Sequence, residues 1–279
     1  MALTIRNNLA AIRAANQLNS IQKNLVTSLD KISSGRRVNR AADDPAGLSV
    51  ASRMESDRRS LQQAIRNAND GVSLVQTAEG GLNEIYNVLV RMRELSVQAS
   101  NETYNSSDRS QMNVEFNSLM NEIVRIASIA NFNRQSLLQG GSSAFALQIG
   151  IHNTSADRIG LNLSSLSSTA GALGLSFLRS NGISTMTNAA SAISALDGAL
   201  SEVNTKRSYL GAIQNRLENA ISQATSYSEN LAASASQIID VDYAEESANM
   251  TKYQIMQQAA IAALGQAKSI PQSIISLLS

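Results

Sequence analysis

Apolar residues recur at helical steps over most of this chain. Near its start they fall at Ile5, Leu9, Ile12, Ala15, Leu18, Ile21, Leu25, Leu29 and Ile32. Steps of three and four place them on one stripe of a helix, and Gly35 stands where a helix C-terminus favours glycine. Residues 36–47 carry no stripe, and Pro45 pushes Asp44 toward an extended backbone, so the helix does not run straight on. A second seam starts at Leu61 and proceeds through Ile65, Ala68, Val72, Val75, Glu79, Leu82, Tyr86 and Leu89. Its alternating steps of four and three make a heptad rhythm, which continues less strictly through Met92, Leu95 and Ala99. The polar stretch "NETYNSSDRS" breaks it. Ser107 with Asp108 is placed to cap a third helix, whose seam is Met112, Phe116, Leu119, Ile123, Ile126 and Ala130.

The period then changes from 3.6 to 2. Phe145, Leu147 and Ile149 alternate with polar residues, as do Ile159, Leu161 and Leu163, around the loop "HNTSAD". This predicts a β-hairpin, too small to stand alone and therefore laid on the helices. Residues 165–187, rich in Ser, Gly and Thr, read as irregular. The last long seam runs through Leu196, Leu200, Val203, Arg207, Leu210, Gln214, Leu217, Ile221, Ala224, Ser228, Leu231, Ala235 and Ile238, and "DVDYAEES" interrupts it. A final helix, about 244–268, carries Ile255, Met256, Ala259, Ala260, Ala263, Leu264 and Ala267 on one side.

The plan is symmetric: terminal helix, joint, long helix, and the same in reverse. The fold class expected is mainly α, a long antiparallel helical coiled-coil bundle with a small β-hairpin, plus a second body formed by the paired N- and C-terminal helices. The inner terminal-helix body takes residues 1–46 and 239–279, with a connector at 34–46. The outer helical core takes 47–238, with the hairpin at about 145–163. Terminal helices with a single apolar stripe are marginal in water when isolated, so their outer surface calls for other chains and for folding on assembly.

Composition narrows the chemistry. The chain holds 23 basic and 22 acidic residues, a net charge of +1, with no Cys, no Trp and one His. Without a basic excess, nucleic acid is not an expected partner. Cys and His clusters for a metal are excluded by count, and a nucleophile would have only His152 as its imidazole base. Asp43 and Asp44 read either as a carboxylate pair or, beside Pro45 and three arginines, as caps and salt-bridge partners. No apolar run reaches the roughly 18 residues of a bilayer span, so no membrane span is expected. No cofactor is implied, and no catalytic or metal site is assigned. On the seams alone, a helical scaffold for signalling is an equally permitted reading.

The motifs point further. "SLDKISSGRRVNRAADDPAGLSVA" (28–51), "RMRELSVQASNETY" (91–104), "FNRQSLLQGG" (132–141), "LGAIQNRLENAI" (210–221), "IDVDYAEESANMTKYQIMQQA" (239–259) and the closing "PQSIISLL" resemble bacterial flagellin, in family order and over nearly the whole chain. The variable insert that many flagellins carry before the last long helix is missing, so the resemblance is to a minimal form. It implies a structural, non-enzymatic subunit that polymerises with itself into the flagellar filament, the helical propeller for motility. It also implies unfolded passage through type III export, assembly at the distal tip, and an extracellular location. Partners implied are the export apparatus with a chaperone, the filament cap and the hook-junction proteins. The alternative within the same resemblance is a hook–filament junction protein.

For assembly of the inner body the resemblance and the stripes together single out Ile5, Leu9, Ile12, Leu18, Leu25, Ile255, Leu264, Leu277 and Leu278. For the connector they single out Gly35, Arg36, Arg37, Arg40, Asp43, Asp44 and Pro45, pairing among themselves or with neighbouring subunits. Arg91, Leu95 and Glu115 match the family's pattern for subunit contact and for recognition by a Toll-like receptor, while Val90 departs from the Gln common there.

Overall fold

The computed structural model describes the backbone of residues 8–140, 144–162 and 166–278, with side chains given for 8–140, 145–162 and 166–269. In chain order the helices are α1 (Leu9–Ser34), α2 (Pro45–Ala99), α3 (Ser106–Ile129), α4 (Ser176–Asn181), α5 (Met186–Ile239) and α6 (Tyr243–Leu278). Four short strands, β1 (Asn131–Phe132), β2 (Gln135–Ser136), β3 (Ala144–Gln148) and β4 (Arg158–Asn162), form two antiparallel hairpins between α3 and α4. The chain divides into two compact units, Met1–Arg58 with Glu229–Ser279, and Arg59–Ser228, and the division falls inside α2 and α5.

Helix ends follow local chemistry. Asn8 caps α1 by accepting from the Ala11 N–H at 3.0 Å, and Gly35 ends the helix at φ 70°, a left-handed conformation that glycine adopts without a Cβ clash. Pro45 opens α2 at the position where its missing N–H costs nothing. The cap of α3 is Asn105 rather than Ser107. Its side chain accepts from the Asp108 N–H at 2.9 Å while Asp108 accepts from the Asn105 N–H at 3.1 Å, a reciprocal capping box. Asp242 accepts from the N–H groups of Ala244 and Glu245, and Glu245 and Glu246 add negative charge to the first turn of α6.

In the unit of residues 59–228, α2, α3 and α5 surround one core. The buried seam of α2 is Leu61, Ala64, Ala68, Gly71, Val75, Ala78, Leu82, Ile85, Leu89, Met92, Ser96 and Ala99. Half of the expected seam is therefore in the centre, while Ile65, Val72, Glu79 and Tyr86 stand at its edge. The other buried column is mostly small, which lets partner side chains approach the backbone. Leu147 Cδ1, for example, lies only 2.5 Å from where a Cβ on Gly71 would be. On α5 the same offset holds: Leu196, Val203, Leu210 and Leu217 are buried with Ala192, Ala199, Lys206 and Ile213, while Leu200, Arg207, Gln214 and Ile221 flank them. The Arg207 guanidinium lies 5.9 Å from the centre of the Tyr86 ring.

The expected hairpin forms between β3 and β4, paired from Ala144↔Asn162 to Gln148↔Arg158. Ile159 and Leu161 are buried, and Phe145 and Leu147 pack against the core. Leu163 lies outside the described residues. A smaller hairpin, β1–β2, was not expected; its two-residue loop, Asn133 and Arg134, has φ values of 48° and 65°, as a turn matched to strand twist requires. The stretch at 165–187 is not merely irregular. It contains α4 and buries Leu166, Ala170, Leu173, Leu175, Leu178 and Ile183. It is held partly by Lys206, a core lysine whose Nζ donates to the Ser167 carbonyl and pairs with Glu202 at 3.5 Å.

Candidate assembly interface

In the other unit, α1 and α6 run antiparallel, with Asn8 Nδ2 donating to the Ala267 carbonyl at one end (2.8 Å) and the Val241 N–H donating to the Gly35 carbonyl at the other (3.1 Å). The inward positions of α1 are Ala14, Leu18, Ile21, Leu25, Ser28 and Ile32, a 4-3 rhythm in which Ile21 and Ser28 are buried and the others half-buried. Ser28 Oγ donates to Glu246 Oε1 at 2.5 Å, and Lys31 Nζ stands 3.9 Å from Glu246 Oε2. From α6, Met250, Tyr253, Met256, Ala260, Leu264 and Ala267 are half-buried.

The pair leaves apolar surface uncovered. Leu9, Ile12, Val26, Ile255 and Ile261 are each more than half exposed, and Leu29 nearly so. Of the residues singled out in the sequence, Leu9, Ile12 and Ile255 thus lie on open surface, while Leu18, Leu25 and Leu264 are half-buried in the α1–α6 seam. Ile5 and the side chains of Leu277 and Leu278 lie outside the described residues. Ser28 and Glu246 were missed; the rhythm from Leu18 through Ile21 and Leu25 to Ile32 skips over Ser28 at a seam position, which is the signal that marks it.

The connector is built from backbone contacts more than from the expected charge pairs. Arg36 bridges to Asp240 through the backbone, the Arg37 N–H donates to the Ile239 carbonyl at 2.6 Å, and the Arg37 side chain donates to the Ile238 carbonyl. Val38 is buried beneath them. Arg40 pairs with Asp30 of α1 at 3.0 Å, not with Asp43 or Asp44. Asp43 instead accepts from the N–H groups of Arg40 (2.9 Å) and Asn39 (3.1 Å), which hold its carboxyl below the ordinary range. Asp44 accepts from the Gly47 N–H at 2.8 Å and so caps α2. Gly47 leaves no room for a side chain: a Cβ would lie 2.2 Å from Asp44 Oδ2 and 3.1 Å from Ile238 Cγ2.

In the larger unit, Arg91 is held by two carboxylates, donating to Glu115 Oε1 at 2.8 and 3.0 Å and to Glu94 Oε2 at 3.1 Å. These hydrogen bonds raise the Arg91 pKa, that to Glu115 most. Arg91 and Glu115 are exposed, whereas Leu95 belongs to the core, 2% exposed. His152 lies in the loop of the larger hairpin, its Nδ1 3.7 Å from Asp157 Oδ2. Among the described residues no three of His, Cys, Asp and Glu converge on a metal position, and no helix is long and apolar enough to cross a membrane.

Comparison with known proteins places this geometry. A family model described as the bacterial flagellin N-terminal helical region matches residues 5–143, and one described as the bacterial flagellin C-terminal helical region matches 193–278. A flagellin of Halalkalibacterium halodurans is 42% identical over 276 residues, spanning 99% of this chain and 100% of its own. The flagellar filament 33 kDa core protein of Treponema phagedenis is 39% identical over 288 residues, again across 99% and 100%. A solved structure assigned as a flagellar hook-associated protein from Vibrio parahaemolyticus superposes with a TM-score of 0.57 at 14% identity, over 71% of this chain and 100% of that one. At that identity it speaks for the fold alone.

Proposed function

The chain belongs to the bacterial flagellin family, and on that premise we propose how its parts serve a flagellar filament. It is a structural subunit of that filament, assembling with copies of itself; the hook–filament junction reading is not favoured. Residues 1–46 and 239–279 act as the inner domain and 47–238 as the outer one, joined through the connector at 34–46.

The observation that carries this division of labour is the open apolar surface of the α1–α6 pair at Leu9, Ile12 and Ile255. A two-helix pair that leaves such residues in water gains most when neighbours cover them. Ile5, Leu277 and Leu278 are assigned to the same assembly role from the sequence alone, and Leu18, Leu25 and Leu264 hold the α1–α6 pair together. Connector residues Gly35, Arg36, Arg37, Arg40, Asp43, Asp44 and Pro45 keep the two helix ends and the start of α2 in fixed geometry.

The same reading gives the chain an extracellular place, export in the unfolded state with a chaperone, and assembly beneath a cap on hook-junction proteins. Arg91 and Glu115 supply the exposed part of a contact for neighbouring subunits or for a Toll-like receptor, with Leu95 shaping it from the core.

Negative-stain microscopy of the purified full-length chain, with filament seeds or a precipitating salt, tests the proposal. Long uniform tubes are expected. Monomers or short rings from an intact chain would overturn it and favour the junction protein.

A further inference from the structure

We propose that Ser28 and Glu246 form the register lock of the α1–α6 pair and so select which apolar residues are presented for assembly; this rests on the filament reading above. Ser28 is 1% exposed in the middle of an apolar seam. Its hydroxyl has two oxygens of one residue within reach, Glu246 Oε1 at 2.5 Å and the Glu246 carbonyl at 3.4 Å. The Glu246 side chain is itself largely buried, with its second oxygen toward Lys31.

An apolar seam by itself does not fix an antiparallel register. Around Ser28 the α1 seam offers Ala14, Leu18, Ile21, Leu25 and Ile32, and α6 offers Met250, Tyr253, Met256, Ala260, Leu264 and Ala267. Sliding one helix by a turn exchanges leucine for methionine, which a seam absorbs with modest loss, or for alanine, which costs more, so the apolar positions favour the native register only in part. A buried hydroxyl and carboxylate resist the slide, because it breaks their hydrogen bond and draws the carboxylate away from Lys31 in a place shielded from water. The Asn8 contact is weaker in this respect, since its acceptor is a backbone carbonyl and every position offers one, and the Val241–Gly35 contact ties only the connector end of the pair. A single polar pair in an apolar seam is a known way to set register at a cost in stability.

The register matters for function because a slide of one turn moves Ile255 and Ile261 about 5.4 Å along Leu9 and Ile12. The open surface would then no longer have the spacing that a neighbouring copy repeats.

The native register places Ala11 level with Leu264, one turn from Ala260. Since the chain has no cysteine of its own, two reporter chains follow, one with Ala11→Cys and Leu264→Cys, the other with Ala11→Cys and Ala260→Cys. In the otherwise unchanged protein the first pair should oxidise at least about 10-fold faster than the second, because one turn of offset exceeds disulfide reach. In the Ser28→Ala/Glu246→Leu background the ratio should fall toward one. Without the reporters, that double variant should elongate filament seeds slower by a factor on the order of 10 or more. Glu246→Gln keeps an oxygen for the Ser28 hydroxyl and should retain both the native ratio and the native elongation rate.

An unchanged crosslink ratio in the double variant overturns the lock, and so does a loss in Glu246→Gln equal to that in the double variant. Failure of the unmodified chain to elongate seeds refutes the filament reading instead. The crosslink ratio needs no polymer and still decides on the lock.

Discussion

Leu147 of the larger hairpin sits on Gly71 of α2, its Cδ1 2.5 Å from the place a Cβ would take. Nine residues on, Gly80 has nothing within 4 Å of that place. The two glycines in one helix therefore predict opposite effects. Gly71→Ala should destabilise the larger unit by about 1–3 kcal/mol by lifting the hairpin from the helix. Gly80→Ala should stabilise it by about 0.5–1 kcal/mol, the ordinary gain of alanine in a helix interior. Urea unfolding followed by circular dichroism measures both, and a loss of stability in Gly80→Ala would count against the open surroundings of that residue.

The capping box at α3 separates the observed helix start from the one the sequence suggests. Asn105→Ala should cost about 0.5–2 kcal/mol. Ser107→Ala, one residue from Asp108, should be within about 0.5 kcal/mol of neutral. Equal losses at the two positions in thermal unfolding would contradict the assignment of the cap.

Lys206 gives the larger unit a defined response to alkali. Burial lowers its pKa from the ordinary 10.5, against the opposing pull of Glu202. The folded state thus gives up this proton at lower pH than the unfolded state does. Between the two pKa values the unfolded chain binds more protons, and stability rises with pH across that window. Compared with Lys206→Met, the native protein should gain stability as pH approaches 10.5 from below, with the difference constant once both states are neutral. Lys206→Met removes the donor to the Ser167 carbonyl and should itself cost about 1–3 kcal/mol near neutral pH. Paired denaturation curves from pH 7 to about 11 test this; a difference that shrinks in the opposite sense overturns the assignment.

Ile12 and Ile21 belong to the same helix but have different work. Ile21 is buried between α1 and α6, so Ile21→Ala should cost about 2–5 kcal/mol of the pairing. Ile12 is more than half exposed in the single chain. Ile12→Ala should leave monomer helix content unchanged and should slow or block seeded elongation. Monomer unfolding by Ile12→Ala would show that this residue holds the helix pair rather than serving the polymer.

The helices and the larger hairpin were legible in the sequence because their signal is local and periodic. The depth of each seam position was not. Ile65, Val72 and Tyr86 look like core by size, yet Ala64, Gly71 and Ala78 occupy the centre because helices and hairpin approach most closely over small residues. The stretch around α4 reads as polar and irregular, since the burial of Leu166, Leu175 and Ile183 comes from contacts distant in sequence. The partners of Lys206 and Ser28 were invisible for a related reason: each is polar at a buried seam position, and what it bonds, the Ser167 carbonyl or Glu246, is supplied by another segment. In the connector the residues were evident and the partners were not. Asp43 and Asp44 turn to backbone N–H groups, while Arg40 reaches back to α1.

The hydrogen bond from Asn8 to Ala267 spans 259 positions of sequence. In synthesis from the N-terminus helix α1 is made long before α6, and until then it has no mate. Closing so large a loop is slow and is rewarded only at its final step. The α1–α6 unit therefore depends on the whole span of chain between its helices: a chain cut short anywhere before α6 leaves α1 without its partner helix.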